Sequence, residues 1–266
     1  MKHIKLLYLF LLISWSSLPL QAADYLLQSP NGKLTVEIET KGQLSYTLKH
    51  NSQTLLDKSP IGLLLEDKIL GEDIKISRIK RNSSVKEHIV SPHYRLPSFE
   101  VTYNELNLKF KGNYGIIFRA YNEGIAYRFY TTMKGPLIIK DEMVQMNFPK
   151  DYPTFMSYST MPTGEDQYAM AFQNLYTKSS IKGVDTNNIA FLPITIDCGN
   201  ELKMTLLESD LEDYPGMFIK GDGKNTSLQG TFAHYPSEIK NFPPRAMKRI
   251  TKRTDYIART TGERNY

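Results

Sequence analysis

The sequence predicts an all-β protein, built as a large antiparallel sandwich. Three observations carry this. From Tyr25 onward, apolar residues alternate with polar ones at a period of two in segment after segment. Turn signals rich in Gly, Asn and Pro separate those segments at close spacing. No apolar stripe of period 3.6 persists, so the helices that a doubly wound sheet needs have nothing to build them. The length fits one large sandwich.

The elements follow in order. Asn31-Gly32 reads as a tight turn before Leu34, Val36 and Ile38, which alternate with Thr35, Glu37 and Glu39. Lys41-Gly42 turns the chain into Leu44, Tyr46 and Leu48, and His50-Asn51-Ser52 turns it again into residues 54–56. Ser59-Pro60-Ile61-Gly62 introduces residues 63–65. Ile74, Ile76 and Ile79 predict a weaker strand that runs out into a polar stretch, 80–87. Turn residues dominate 88–97, and Leu106, Leu108 and Phe110 alternate on the next strand. Ile116, Phe118 and Ala120 then turn through Asn122-Glu123-Gly124 into Ile125, Tyr127 and Phe129. A three-residue loop ending in Gly predicts a bulged hairpin with Gly124 left-handed. Arg119 and Arg128 fall on the face opposite the apolar stripe, exposed to solvent or to a carboxylate partner. Val144, Met146 and Phe148 form another alternating strand. Residues 165–176 read as a short helix or an irregular loop, 189–196 as a strand, and 228–235 as the last strand. Pro236 onward loses its periodicity, and Pro243-Pro244 marks a linker over 243–266.

The first residues stand apart. Lys2, His3 and Lys5 precede an apolar run, and Leu20-Gln21-Ala22 fits a secretory cleavage site, so residues 1–22 read as a signal peptide. The apolar run is shorter than the roughly 20 residues a spanning helix needs. No Cys lies near residue 22, which argues against a lipoprotein anchor. The expectation is a soluble, periplasmic chain with its β-sandwich domain over 23–242. The full sequence has 33 basic and 28 acidic residues, a formal charge of +5. Loss of Lys2 and Lys5 takes it to +3, much of it in the last stretch, so the body is near neutral and no nucleic-acid footprint is read. Cys198 is the single cysteine and follows an apolar run, as a buried small hydrophobe does. Trp15, the single tryptophan, falls in the signal peptide, so any sugar-stacking surface must use Tyr or Phe.

One stretch concentrates chemistry. Leu202, Met204 and Leu206 begin as a buried strand, which then opens into Glu208, Asp210, Glu212 and Asp213, and Tyr214-Pro215-Gly216 turns the chain. Carboxylate oxygens at a strand end suit a hard cation such as calcium or a substrate rim. The plainer reading is a solvated acidic loop.

Four segments, in order, resemble a known family: GQLSYTLKHN (42–51), SPIGLLLED (59–67), FRAYNEGIAYRFY (118–130) and LLESDLEDYPGMF (206–218). They resemble the N-terminal domain of glycoside hydrolase family 97, exported α-glucosidases and α-galactosidases of Bacteroides-type bacteria. The resemblance implies a galactose-mutarotase-like β-super-sandwich that precedes a catalytic (β/α)8 barrel and a small C-terminal β domain. ARTTGERNY (258–266) looks like the approach to that barrel, which takes roughly 250 residues. The family's catalytic acids lie on the barrel, so no catalytic residue is assigned here, and the expectation is that this chain alone is inactive. The resemblance also implies a glutamate that reaches over the barrel mouth to a calcium ion. Glu208 is the candidate ligand, with Asp210 as its alternative. Asn122, Glu123 and Asp210 are candidate substrate-side residues, although the plainer reading of Asn122-Glu123 is a turn chosen for backbone geometry. Tyr168 and Glu165 are candidates for the domain interface or sugar rim.

The implied partners are α-linked glucose or galactose oligosaccharides and the barrel itself, with calcium bound only when the barrel is present. Two other functions remain in view. A stand-alone periplasmic carbohydrate-binding protein would stack sugar on Tyr94, Tyr152 or Tyr158. A mutarotase would need a histidine and a carboxylate in one pocket, drawn from His88, His93 and His234.

Overall fold

The computed structural model describes residues 24–91, 95–159, 166–169, 173–242, 247–261 and 264–266. Residues 1–22, read above as a signal peptide, and His93, Tyr94 and Glu165 lie outside them.

The described chain is almost entirely strand. Its first half runs β1 (Tyr25–Gln28), β2 (Leu34–Glu39), β3 (Ser45–His50), β4 (Gln53–Leu65), β5 (Ile69–Leu70), β6 (Ile76–Val90), β7 (Ser98–Phe110), β8 (Tyr114–Tyr121), β9 (Ile125–Thr131) and β10 (Pro136–Asn147). Its second half runs β11 (Pro153–Tyr158), β12 (Thr177–Ser180), β13 (Ala190–Asp197), β14 (Lys203–Leu206), β15 (Met217–Gly221), β16 (Ser227–Phe232), β17 (Pro236–Phe242), β18 (Met247–Arg253), β19 (Ala258–Thr261) and β20 (Arg264–Asn265).

A 13-stranded sheet follows the path β1-β2-β3-β4-β10-β16-β15-β13-β11-β12, with β5, β14 and β19 paired onto its flanks. A five-stranded sheet, β20-β9-β8-β7-β6, forms the second layer, and among the described residues β17 and β18 make a two-stranded sheet of their own. All named pairings are antiparallel. The all-β sandwich predicted from the alternating pattern is what the chain forms.

The period of two decides which face is inside. In β2, Leu34, Val36 and Ile38 are buried while Thr35, Glu37 and Glu39 are half-exposed. In β8, Ile116, Phe118 and Ala120 point inward. The two layers meet through aromatics. Phe118 of β8 lies 6.1 Å from Tyr46 of β3, and Tyr127 of β9 lies 5.7 Å from each. Burial of this continuous core is the main stabilising term. The turns use the residues expected of them: Gly32, Gly42 and Asn51 have positive φ.

Several readings change. The polar stretch 80–87 lies inside the long strand β6, because its partner β7 pairs with it on both sides of a register shift between Asn82 and Val85. Gly124 is not left-handed; Ala120 pairs with Ile125, and the Tyr121 N–H donates to the Gly124 carbonyl at 2.8 Å across a longer loop. Residues 167–169 form one 3-10 turn and 173–176 are irregular. β14 is a half-exposed flanking strand, not a buried one.

The stretch over 243–266, read as a linker, carries β18, β19 and β20, and β16 is therefore not the last strand. β19 pairs with β10 from Pro136↔Thr261 to Ile139↔Ala258, and β20 pairs with β9. β19 and β20 are four and two residues long, too short to display an alternation. Their pairing is supplied by distant partners. Cys198 is buried, and burial pushes its thiol up to about 11, as its reading as a small hydrophobe requires. No helix among the described residues is long and apolar enough to cross a membrane.

Candidate functional site

The acidic turn grows from the end of β14 and returns to the sheet at β15. Residues 207–216 form no strand or helix. Glu208 opens the turn, and its carboxylate folds back across it: Oε2 accepts the backbone N–H of Met217 at 2.7 Å. Gly216 leaves room for this, because a Cβ there would sit 3.2 Å from Oε1. Burial raises the pKa of Glu208, and the Met217 N–H opposes that rise.

Below the turn lies β10. Asp141 and Glu142 are consecutive on that strand, paired with Leu64 and Leu63 of β4. Glu142 is half-buried and accepts a hydrogen bond on Oε2 from the Tyr214 hydroxyl at 3.1 Å. Burial pushes Glu142 up to about 7; the Tyr214 hydroxyl works against this, while the charges of Asp141 and Glu208 add to it. Asp141 is also raised by burial, against the pull of the Glu142 N–H and the positive charges of His234 and Lys220. Tyr127 and Tyr214 are both held well above the usual phenol range by burial, with the Glu142 charge adding to each. Asp141, Glu142 and Glu208 therefore share one electrostatic neighbourhood, walled by tyrosines.

Asp210 sits further out on the same turn with a left-handed φ of 62°. Its carboxylate meets the Arg128 guanidinium at 3.4 Å, with the Asp210 side chain largely in solvent and that of Arg128 partly so. An exposed pair of this kind contributes about 0–1 kcal/mol. Leu207 and Leu211 flank the acids and are 67% and 47% exposed. The turn thus mixes carboxylates with bare apolar side chains instead of carrying a uniform charge.

The other candidates lie apart. Asn122 and Glu123 are exposed at the tip of the β8–β9 hairpin. Asn122 Oδ1 accepts the N–H of Asn31 at 2.9 Å, which ties the hairpin to the β1–β2 turn. Arg128, the β9 residue that reaches Asp210, is five positions past Glu123, on the order of 15 Å along a strand. Glu208 and Asp210 share the acidic turn but engage different partners, Met217 and Arg128, and Asn122 and Glu123 lie at the tip of the hairpin. Tyr168 packs at 5.1 Å on Phe218 and shares a 2.8 Å hydrogen bond with Thr231. His88 is exposed on β6, whereas His234 lies between β16 and β17 with its ring donating to the Thr254 carbonyl at 3.0 Å.

Sequence reading missed Glu142, Asp141 and Tyr214 as site residues. One signal was available: an acidic pair heading the alternating run Val144, Met146, Phe148. A strand turns consecutive side chains to opposite faces, and only the register with β4 and β16 shows what each meets.

Among the described residues, no group of three or more His, Cys, Asp or Glu side chains is arranged to hold a metal ion. Among the described residues, Glu208 has one oxygen engaged by Met217 and the other without a hydrogen-bond partner. Calcium takes 6–8 oxygens. The donor set fits a contribution to a shared calcium site and does not fit a complete one.

The family follows from a match of residues 27–260 to the model for the glycosyl-hydrolase 97 N-terminal domain. The chain belongs to this family. It is 34% identical over 270 residues to a retaining α-galactosidase of Bacteroides thetaiotaomicron, a match that takes in 98% of this chain and 40% of that protein. Its fold is similar to that of a glycoside hydrolase family 97 enzyme from Pseudoalteromonas sp. strain K8, solved with acarbose, at a TM-score of 0.70 and 16% identity. That match covers 91% of this chain and 34% of the solved one. A β-arabinopyranosidase aligns at a TM-score of 0.69 and 18% identity over 79% of this chain and 35% of its own. The glycosyl-hydrolase 97 N-terminal domain described here thus spans about a third to two-fifths of the length of the relatives it matches.

Proposed function

We propose that this domain caps the catalytic barrel of a calcium-dependent α-glycosidase acting on α-linked galactose or glucose, and that Glu208 supplies one oxygen to its calcium ion. The domain itself carries out no bond cleavage. The carrying observation is the Glu208 turn: a half-buried carboxylate with one oxygen engaged and one uncommitted, set between the exposed Leu207 and Leu211. Exposed apolar residues around a polar centre suit burial against another protein surface. Burial disfavours the ionised carboxylate of Glu208, and a bound cation would offset that cost. Calcium, when bound, would supply positive charge beside the barrel's acids. This chain's part is to orient the Glu208 carboxylate and to exclude water around it. Export to the periplasm, from the N-terminal leader, places the enzyme where oligosaccharides arrive.

The test uses the polypeptide encoded at the native locus. It is assayed on aryl α-galactosides and α-glucosides across a calcium titration. Glu208→Gln should raise the calcium needed for half-maximal rate by about tenfold or more, on the scale of losing one charged ligand. An unchanged calcium requirement would sink the ligand assignment. Saturable sugar binding by residues 23–266 alone, with no gain from the rest of the polypeptide, would favour the stand-alone carbohydrate-binding reading.

A further inference from the structure

The acidic turn holds a defined path with no regular structure of its own. Side chains hold it instead. The Arg128–Asp210 pair is the outermost tether, and with the two side chains 40% and 65% exposed, solvent screens it. The Glu208–Met217 bond joins the two ends of the turn and leaves its middle untouched.

Tyr214 reaches the sheet from the middle. Its hydroxyl donates to Glu142 on β10, and its ring lies edge-on to Phe232 of β16 and to Tyr266, at 6.3 Å and 5.6 Å. Tyr266 is itself fixed, since its N–H donates to the Phe129 carbonyl and its hydroxyl meets Thr260 Oγ1 at 2.7 Å. One tyrosine therefore touches three separate parts of the sandwich, and its single polar atom is spent on Glu142.

We infer that Glu142 and Tyr214 are positioning residues: their hydrogen bond pins the middle of the 208–216 turn to β10, so that Glu208 presents its uncommitted oxygen at one place. The significance of that placement rests on the proposed role of Glu208. The pinning itself is a property of this chain.

Hydrogen exchange on residues 23–266 in calcium-free buffer tests it, with wild type compared against Tyr214→Phe, Glu142→Ala and Glu142→Gln. Tyr214→Phe keeps the ring and removes only the hydroxyl. It should speed exchange of the 208–217 amides by about tenfold or more, the scale of a lost hydrogen bond to a charged group. The β8–β9 amides should not change. Glu142→Ala should loosen the turn likewise, whereas Glu142→Gln, which keeps a carbonyl acceptor for Tyr214, should retain most of the protection. If the tyrosine acted only by packing, Tyr214→Phe would exchange like wild type, and that result overturns the inference. So does a Glu142→Gln turn as loose as that of Glu142→Ala. Should Tyr214→Phe fail to fold, the two Glu142 variants decide the matter. No calcium is present, so this outcome is independent of the calcium titration: a firm turn with a calcium-indifferent Glu208 defeats the ligand role alone.

Discussion

Arg128 on β9 and Asp210 on the acidic turn, 3.4 Å apart, join the five-stranded layer to a loop grown from the 13-stranded one. The pair spans 82 residues of sequence and bridges two sheets. Its exposure limits its worth. Replacing either partner, by Arg128→Ala or Asp210→Asn, should lower the unfolding free energy by less than about 1 kcal/mol. The loss should shrink further in 1 M salt, where the screening length is about 3 Å. Urea titrations at low and high salt check this. A loss of several kcal/mol would mean that the pair is desolvated in solution.

Glu142 makes a pH prediction with a definite sign. Its folded-state value of about 7 stands above the ordinary 4.5, so the fold favours the protonated acid. Its contribution is complete below pH 4.5, fades as pH rises, and is gone above about 7. Glu142→Gln mimics the protonated form at every pH. The variant should match wild type near pH 4 and exceed it near pH 8 by on the order of 2–3 kcal/mol in calcium-free buffer. Unfolding curves across that range decide it, and parallel curves at all pH values would show that Glu142 is solvated in the folded protein.

Asp222 predicts the opposite slope. Burial opposes its ionisation, but Ser227, the N–H groups of Lys224 and Asn225 and the Asn225 amide together bring it down to about 2. Its stabilisation is present above the ordinary 3.8 and is lost as pH falls through 2. Asp222→Asn should cost about 1–3 kcal/mol at pH 7. At pH 2 the difference from wild type should be much smaller, as thermal melts at both values can show.

How far the sequence reached depended on whether a feature was local. The alternation in β2 and β8 and the turns at Gly32, Gly42 and Asn51 are set by neighbours in sequence, through the pleat of a strand and the backbone freedom of Gly and Asn. The acidic turn was legible for the same reason: four carboxylates and Tyr-Pro-Gly lie within one short stretch.

The site's partners were not local. Glu142 stands 72 residues from Tyr214, and which of Asp141 and Glu142 meets the turn depends on β10 pairing with β4 and β16. β19 and β20 escaped notice because they are short, and their ladders run to β10 and β9 more than a hundred residues earlier.

The sequence by itself determined an all-β chain with its acids gathered at one strand end, because side-chain period and turn chemistry act within a few residues. The tertiary structure decided which carboxylates are buried together and which side chains hold the turn. Desolvation and charge coupling depend on distance through space, and that distance exists only once the sheets have paired and packed.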